Sequence, residues 1–189
     1  AQIGEAVKQS DAGAAVTVTA GTFNESQVLI DKAMTVQGAG SANTILDGGS
    51  VVGLPSAGLV RIVATGNVTF DGFTVQNAGD SGATFVRVGI YASAPSAGGT
   101  YTISHNKILG SNNPLDDEDY GFYSNGGLES LVFTYNEITQ TGANAILLER
   151  HTGPTDVSYN TFDRGVADGS NDAYFNMNYG GADITSLQK

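Results

Sequence analysis

Short runs of alternating apolar and polar residues cover most of the chain, and one run recurs. Its order is apolar, small polar, variable, Asn, variable, apolar, with Phe73 in the place of Asn in the first copy; the copies lie at 68–75, 102–108, 132–138 and 156–162. Alternation with a period of two predicts β-strands. Recurrence of one motif at intervals close to one coil predicts stacked repeats rather than a sandwich.

A second strand family precedes the first within each coil, at 89–92, 121–124, 145–148 and 173–176. Ile90, Phe122, Ile146 and Tyr174 are expected to point inward. Alternation then turns the following residues outward as one column, which consists of Tyr91, Tyr123, Leu147 and Phe175. Two strand families that repeat in register predict an all-β solenoid of parallel strands.

The repeated asparagines Asn106, Asn136 and Asn160 have a physical reason to lie inside the bends. A tight bend between parallel strands leaves backbone groups without partners, and a side-chain amide can satisfy them while it stacks on its neighbours. We therefore expect an internal Asn ladder. The residues just before these asparagines, His105, Tyr135 and Tyr159, are expected to form a ladder that points outward.

The N-terminus departs from the repeat. Ile3, Ala6 and Val7 have helical spacing and predict one or two turns that close near Asp11. Such a helix would cover the open end of the solenoid, whose strand edges would otherwise be free to pair. Strands are expected next at 16–19, 28–30, 34–40 and 44–48.

At this point the sequence resembles a known family. The segments AGTFNE (20–25) and VQGAG (36–40), with the helix before them, look like the entry of right-handed parallel β-helix proteins of the pectate-lyase-like superfamily. The later coils resemble the family's generic repeats, so the resemblance extends to about Asn178. It implies a right-handed single-stranded parallel β-helix with a short N-terminal capping helix, as one domain over residues 1–189. It implies little about activity, because the superfamily hosts lyases, hydrolases, epimerases, tailspikes and adhesins.

Charge and composition limit the classes of binding partner that the chain is expected to have. The chain has 19 acidic and 8 basic residues, a net charge of −11, and no cysteine. Nucleic acid is not an expected partner, because few cations are present to neutralise phosphates. Membrane insertion is not expected either, since no long apolar run occurs. We expect an extracellular or cell-surface location, although composition also fits the cytosol and no signal peptide is visible at 1–8.

The acidic run Asp116, Asp117, Glu118 and Asp119 follows Pro114 and is expected in a loop at a coil corner. Ca²⁺ prefers oxygen ligands, and such a loop could supply several of them. The spacing does not match an EF-hand. A solvated acidic loop is the alternative, because surface charge runs are commonly just hydrated.

Glu149, Arg150 and His151 follow the apolar run 146–148 and are the candidate catalytic residues. The resemblance implies that a lyase of the family abstracts the proton next to a uronate carboxylate with an Arg or Lys base, while Ca²⁺ offsets the developing charge. Arg150 would be the base, and Glu149 or the loop 116–119 would hold the metal. No family motif covers these positions, and surface polar residues at a strand end are the alternative interpretation.

Tyr91, Tyr123 and Phe175 are the candidate substrate-binding residues, because a flat aromatic column on a solenoid face can stack on sugar rings. An inserted loop that shields the column is the alternative. We therefore predict a non-catalytic extracellular or cell-surface module with a structural, adhesive or carbohydrate-binding role. The expected partner is a polysaccharide or another surface protein. A Ca²⁺-dependent lyase for acidic polysaccharides is the second hypothesis.

No cap is predicted at the C-terminal end of the solenoid. After Phe175 the chain ends in the polar segment 183–189, which does not resemble a cap. Terminal repeats commonly need a polar cap. We consider three hypotheses for this end: the segment forms a loose cap, the chain is a fragment of a longer extracellular protein, or the chain self-associates through this end.

Overall fold

The computed structural model describes residues 2–49, 58–78, 87–93, 98–110, 119–126, 130–139, 144–149, 151, 153–163, 175–178 and 183–188. For residues 87, 119, 175–178 and 183–188 the description covers the backbone alone. The described part is dominated by β-strands that pair in parallel, with one short helix at the N-terminus.

The elements follow one another in a regular order. The helix is α1 (Ile3–Gln9). The strands are β1 (Ala15–Thr17), β2 (Gly21–Asn24), β3 (Val28–Gln37), β4 (Thr44–Asp47), β5 (Val60–Asp71), β6 (Thr74–Gln76), β7 (Arg87–Ala92), β8 (Thr100–Ser104), β9 (Lys107–Leu109), β10 (Asp119–Asn125), β11 (Ser130–Thr134), β12 (Glu137–Thr139), β13 (Ile146–Glu149), β14 (Pro154–Ser158), β15 (Thr161–Asp163), β16 (Phe175–Asn178) and β17 (Asp183–Gln188).

These strands form three stacked faces. Face 1 contains the first halves of β3 and β5 followed by β7, β10, β13 and β16. Face 2 contains β1, the second halves of β3 and β5, and then β8, β11, β14 and β17. Face 3 contains β2, β4, β6, β9, β12 and β15. Because β3 and β5 each bend from face 1 to face 2, those two faces form one eleven-stranded sheet.

The core lies between the three faces. Ile90, Phe122 and Ile146 are fully buried at paired positions of face 1, as the alternation predicts. Phe122 packs against Phe133 of face 2 with ring centroids 5.0 Å apart. The parallel pairing and the buried core confirm the predicted solenoid-like stacking of parallel strands. Tyr174, the fourth residue of the predicted inward set, lies outside the described residues.

The helix α1 closes the first coil, as the sequence predicts. Ile3 and Val7 are buried in the core, and α1 packs against β3. The buried carboxylate of Glu25 accepts a hydrogen bond from the backbone N–H of Ile3. At the other end, Lys32 Nζ donates to the carbonyls of Lys8 and Ser10 at 2.9 Å each. A cation at this end also complements the helix dipole.

The Asn ladder is confirmed and lies at the corner between face 2 and face 3. Asn106 and Asn136 are each only 2% exposed. Asn136 Oδ1 accepts from the backbone N–H of Asn106 at 3.0 Å, and Asn160 Oδ1 accepts from that of Asn136 at 2.8 Å. One coil earlier, Asn106 Oδ1 accepts from the N–H of Phe73, the residue that replaces Asn in the motif. The amide therefore links each coil to the one before it.

Three elements differ from the prediction. The strand expected at 28–30 continues without a break to Gln37, because β3 bends between two faces instead of ending. Asp119, expected in a loop, is the first residue of β10 and pairs with Arg87. The polar C-terminal segment contains the strand β17, which pairs with β14 on face 2.

Candidate functional site

One column of residues runs along the outside of face 1. The register places side by side Leu29, Arg61, Tyr91, Tyr123, Leu147 and Asn176. From Leu29 to Leu147, the neighbouring positions along each strand are buried, so the alternation turns this part of the column outward. Phe175 was predicted in the column, and this prediction is wrong. The register pairs Phe175 with Ile146, and Asn176 takes the place beside Leu147.

Tyr91 and Tyr123 form the centre of the column. Their ring centroids are 5.3 Å apart and the rings meet edge to face at 76°, so they do not form the flat stripe that the sequence predicts. Tyr120 lies against Tyr123 at 5.6 Å with a tilt of 35°. Edge-to-face contacts of this kind stabilise both rings by about 0.5–1.5 kcal/mol per pair. The tyrosines are therefore held in fixed orientations.

Hydrogen bonds fix Tyr123 further. Its Oη donates to Glu149 Oε2 at 2.6 Å and accepts from Asn125 Nδ2 at 3.0 Å. Burial and the adjacent Glu149 carboxylate raise the pKa of Tyr123 above its ordinary value. The hydroxyl thus stays protonated and acts as a donor. Glu149, a candidate catalytic residue or metal ligand in the sequence analysis, accepts this hydrogen bond and orients the tyrosine.

Exposure changes along the column. Leu29 is 40% exposed, Tyr91 and Tyr123 are half-buried, and Leu147 is only 5% exposed. Leu147 lies outside the main core cluster although it is buried. The accessible part of the column therefore runs from Leu29 to Tyr123 and contains one cation and two aromatic rings.

Arg61 lies between Leu29 and Tyr91 in this column. Its Nε is buried and has no hydrogen-bond partner among the described residues. A buried N–H group without a partner costs free energy, and a ligand could reach this atom only after a change in the Arg61 conformation. Sequence reasoning did not place Arg61 beside Tyr91, because β5 carries no copy of the 89–92 motif.

A cleft of about 250 Å³ opens at the Leu29 end of the column. Its lining combines α1 and β3 with the turn between β2 and β3, and includes Glu5, Lys8, Glu25, Gln27 and Leu29. Nowhere in the described parts of the chain do three His, Asp or Glu side chains converge as a metal site would require. The cleft therefore extends the accessible column without adding a metal centre.

His151, the third candidate catalytic residue, is buried with 1% exposure. Its Nδ1 accepts a hydrogen bond from the N–H of Gly153 at 3.2 Å, which leaves the proton on Nε2, 3.4 Å from Thr155 Oγ1. Burial lowers the pKa of His151. The strand β13 ends at Glu149, so His151 lies outside it. A neutral histidine enclosed in this way stabilises the turn after β13.

We expect the free energy of unfolding to fall as the pH is lowered from 7.5 to 5.5. The unfolded His151 has a pKa near 6.5 and binds a proton in this range, whereas the folded side chain resists protonation, so stability is lost as the pH falls. Urea unfolding at several pH values measures the slope. His151→Gln should flatten it. An unchanged slope in His151→Gln would contradict this interpretation.

The other predicted site residues remain untested by the structure. Asp116, Asp117 and Glu118 lie outside the described residues, and of Asp119 only the backbone is described. Arg150 also lies outside them. The calcium site and the lyase base therefore stay predictions.

A second aromatic group lies at the corner between face 2 and face 3. His105, Tyr135 and Tyr159 follow β8, β11 and β14 directly and stack on one another, which confirms the predicted outward ladder. Tyr135 and Tyr159 are 53% and 50% exposed. We call these three residues the outer ladder.

Comparisons with known proteins give no relative. No family model matches the chain, and neither a curated protein nor a solved structure is similar to it. Among the described residues α1 is the one helix, and its seven residues are too few to span a membrane.

Proposed function

We propose that the chain is a right-handed single-stranded parallel β-helix of the pectate-lyase-like superfamily. Every strand pair among the described residues is parallel, and successive strands belong to successive faces. Crossovers between parallel strands of one sheet are right-handed in about 98% of cases, which favours that hand here. The capping helix and the Asn ladder support the same assignment.

We propose further that this β-helix is a non-catalytic extracellular or cell-surface module that binds carbohydrate on face 1. The observation that carries the proposal is the pair Tyr91 and Tyr123, fixed edge to face on adjacent coils. Rigid aromatic side chains contribute contact area to a ligand with little loss of conformational entropy. The site needs no large rearrangement before it meets a sugar.

Polar groups beside the tyrosines would supply hydrogen bonds to sugar hydroxyls. Glu149 and Asn125 are already bonded to Tyr123 Oη, and each retains further hydrogen-bonding capacity. The partly exposed Arg61 lies on the other side of Tyr91 and carries a positive charge. Aromatic rings with a few hydrogen-bond donors and acceptors beside them are typical of small-molecule binding sites.

Tyr123→Ala should weaken glycan binding at least tenfold, because the substitution removes the ring and releases Tyr91 and Glu149 from fixed positions. A tenfold loss corresponds to about 1.4 kcal/mol, the size of a moderate hot-spot contact. A glycan array identifies the ligand, and titration calorimetry measures the affinity. Tyr123→Phe keeps the ring and is the matched control, with most of the affinity retained. Wild-type affinity in Tyr123→Ala, or no bound glycan on the array, would contradict the proposal.

A further inference from the structure

The outer ladder is an exposed stack of planar side chains on three consecutive coils. The centroids of His105 and Tyr135 are 5.1 Å apart, those of Tyr135 and Tyr159 are 4.9 Å apart, and the rings are parallel within 2° and 9°. Rings in contact lie about 3.5–4.0 Å apart, so these rings are slipped and each leaves part of its face uncovered. The His105 side chain is 62% exposed.

All three residues have left-handed backbone conformations. Their φ values are 53°, 57° and 58° for His105, Tyr135 and Tyr159. Such a conformation costs a residue with a bulky side chain about 1–2 kcal/mol, whereas glycine adopts it freely. Gly72 stands at the equivalent corner one coil earlier, with φ of 79°. The chain can therefore make this corner without an aromatic residue.

The aromatic pair contacts by themselves do not offset the backbone strain at this corner. Two stacked pairs stabilise by about 0.5–1.5 kcal/mol each. Three strained residues cost about 1–2 kcal/mol each, which equals or exceeds that gain. The Asn ladder beneath them already joins the coils. Residues held in strained backbone conformations cluster at binding sites.

We propose that the outer ladder binds an extended neutral polysaccharide whose chain runs parallel to the stacking direction of the coils. The ladder repeats every 4.9 to 5.1 Å, which is close to the length of one sugar unit in an extended chain. Consecutive sugars can therefore meet consecutive rings. The outer ladder lies at the corner between face 2 and face 3, whereas the proposed carbohydrate site lies on face 1. The inference therefore concerns a second binding surface, beyond the proposed function.

Polar side chains flank the outer ladder on both sides. Asp71 accepts from Ser104 Oγ at 2.7 Å and lies 2.8 Å from His105 Nδ1. Across the ladder, Lys107 Nζ donates to Glu137 Oε1 at 2.8 Å. These groups can bond to sugar hydroxyls. The carboxylates of Asp71 and Glu137, in a chain with a net charge of −11, favour a neutral ligand over a polyanion.

The test is titration calorimetry of the full chain with cellohexaose, mannohexaose and xylohexaose. We expect at least one of them to bind. Tyr135→Asn should weaken that affinity at least tenfold, because it removes the middle ring. Its melting temperature should stay equal or rise, since Asn tolerates left-handed backbone, as Asn77 does at φ 50°. Tyr159→Asn, at the end of the ladder, is the second variant and should show a smaller loss. Thr22→Ala, at an exposed position of β2 on face 3, is outside both proposed binding surfaces and should bind as the wild type does.

Three outcomes would overturn the inference. The first is that none of the three oligosaccharides binds to the wild type. The second is that Tyr135→Asn and Tyr159→Asn bind as tightly as the wild type, with or without a lower melting temperature, which would make the ladder purely structural. The third is that sedimentation velocity shows a concentration-dependent dimer that Tyr135→Asn abolishes, which would assign the ladder to self-association.

Discussion

Asn136→Ala should lower the free energy of unfolding by about 3 kcal/mol, because the substitution breaks the middle of the Asn ladder. Asn136 Oδ1 accepts from both the backbone N–H and Nδ2 of Asn106, and its Nδ2 donates to the carbonyl of Ile103 at 2.9 Å. Asn106 is 2% exposed, so water cannot readily replace these bonds. A buried polar group without its partner costs about 1–3 kcal/mol, and more than one is affected. Urea unfolding followed by circular dichroism measures the loss.

Asn160→Ala is the matched control for Asn136→Ala. Asn160 makes equivalent bonds, with Oδ1 accepting from the N–H of Asn136 and Nδ2 donating to the carbonyl of Phe133. It is only partly buried, so solvent can satisfy some of the groups that it leaves. We expect a loss of about 1 kcal/mol. Equal losses in the two variants would show that burial does not determine the contribution of the ladder.

The features that repeat are the ones that sequence reasoning predicted. Each copy of the motif combines an inward apolar residue, a bend and an Asn, so one physical requirement appears several times in the sequence. Parallel stacking brings the copies into register, and this is why Asn106, Asn136 and Asn160 could be assigned to one ladder. The helix over Ile3 and Val7 was predictable because its periodicity differs from that of the strands.

The features that do not repeat were missed or misplaced. The position of Phe175 depends on a register that shifts by one residue from the aligned motif, and a one-residue shift moves a side chain from one face of a strand to the other. Arg61 reaches the aromatic column through the first half of β5, which carries no copy of the 89–92 motif. The burial of His151 depends on the turn after β13, and a single residue next to polar neighbours carries no periodic signal of burial.

Gly121→Ala should also lower the free energy of unfolding by about 3 kcal/mol, because face 1 and face 3 approach each other too closely for a Cβ atom. A Cβ at position 121 would lie 2.5 Å from Ile138 Cγ2 and 2.8 Å from the carbonyl oxygen of Ala145. The second contact is with backbone, so a change of side-chain rotamer cannot relieve it. Overpacking in a dense core costs about 1–3 kcal/mol. Gly126→Ala, where a Cβ meets nothing within 4 Å, should lose only about 1 kcal/mol through its left-handed backbone.

A double-mutant cycle distinguishes this clash from a general effect of the substitution. Ile138→Ala alone leaves a cavity, and such truncations cost about 2–5 kcal/mol. In the double variant Gly121→Ala/Ile138→Ala the new methyl group occupies part of that cavity. The two losses should therefore sum to more than the loss in the double variant, by about 1 kcal/mol or more. Additive losses would mean that Ile138 does not limit the space at Gly121. The space at Gly121 would then be limited by the carbonyl oxygen of Ala145, which lies in the neighbouring coil of face 1.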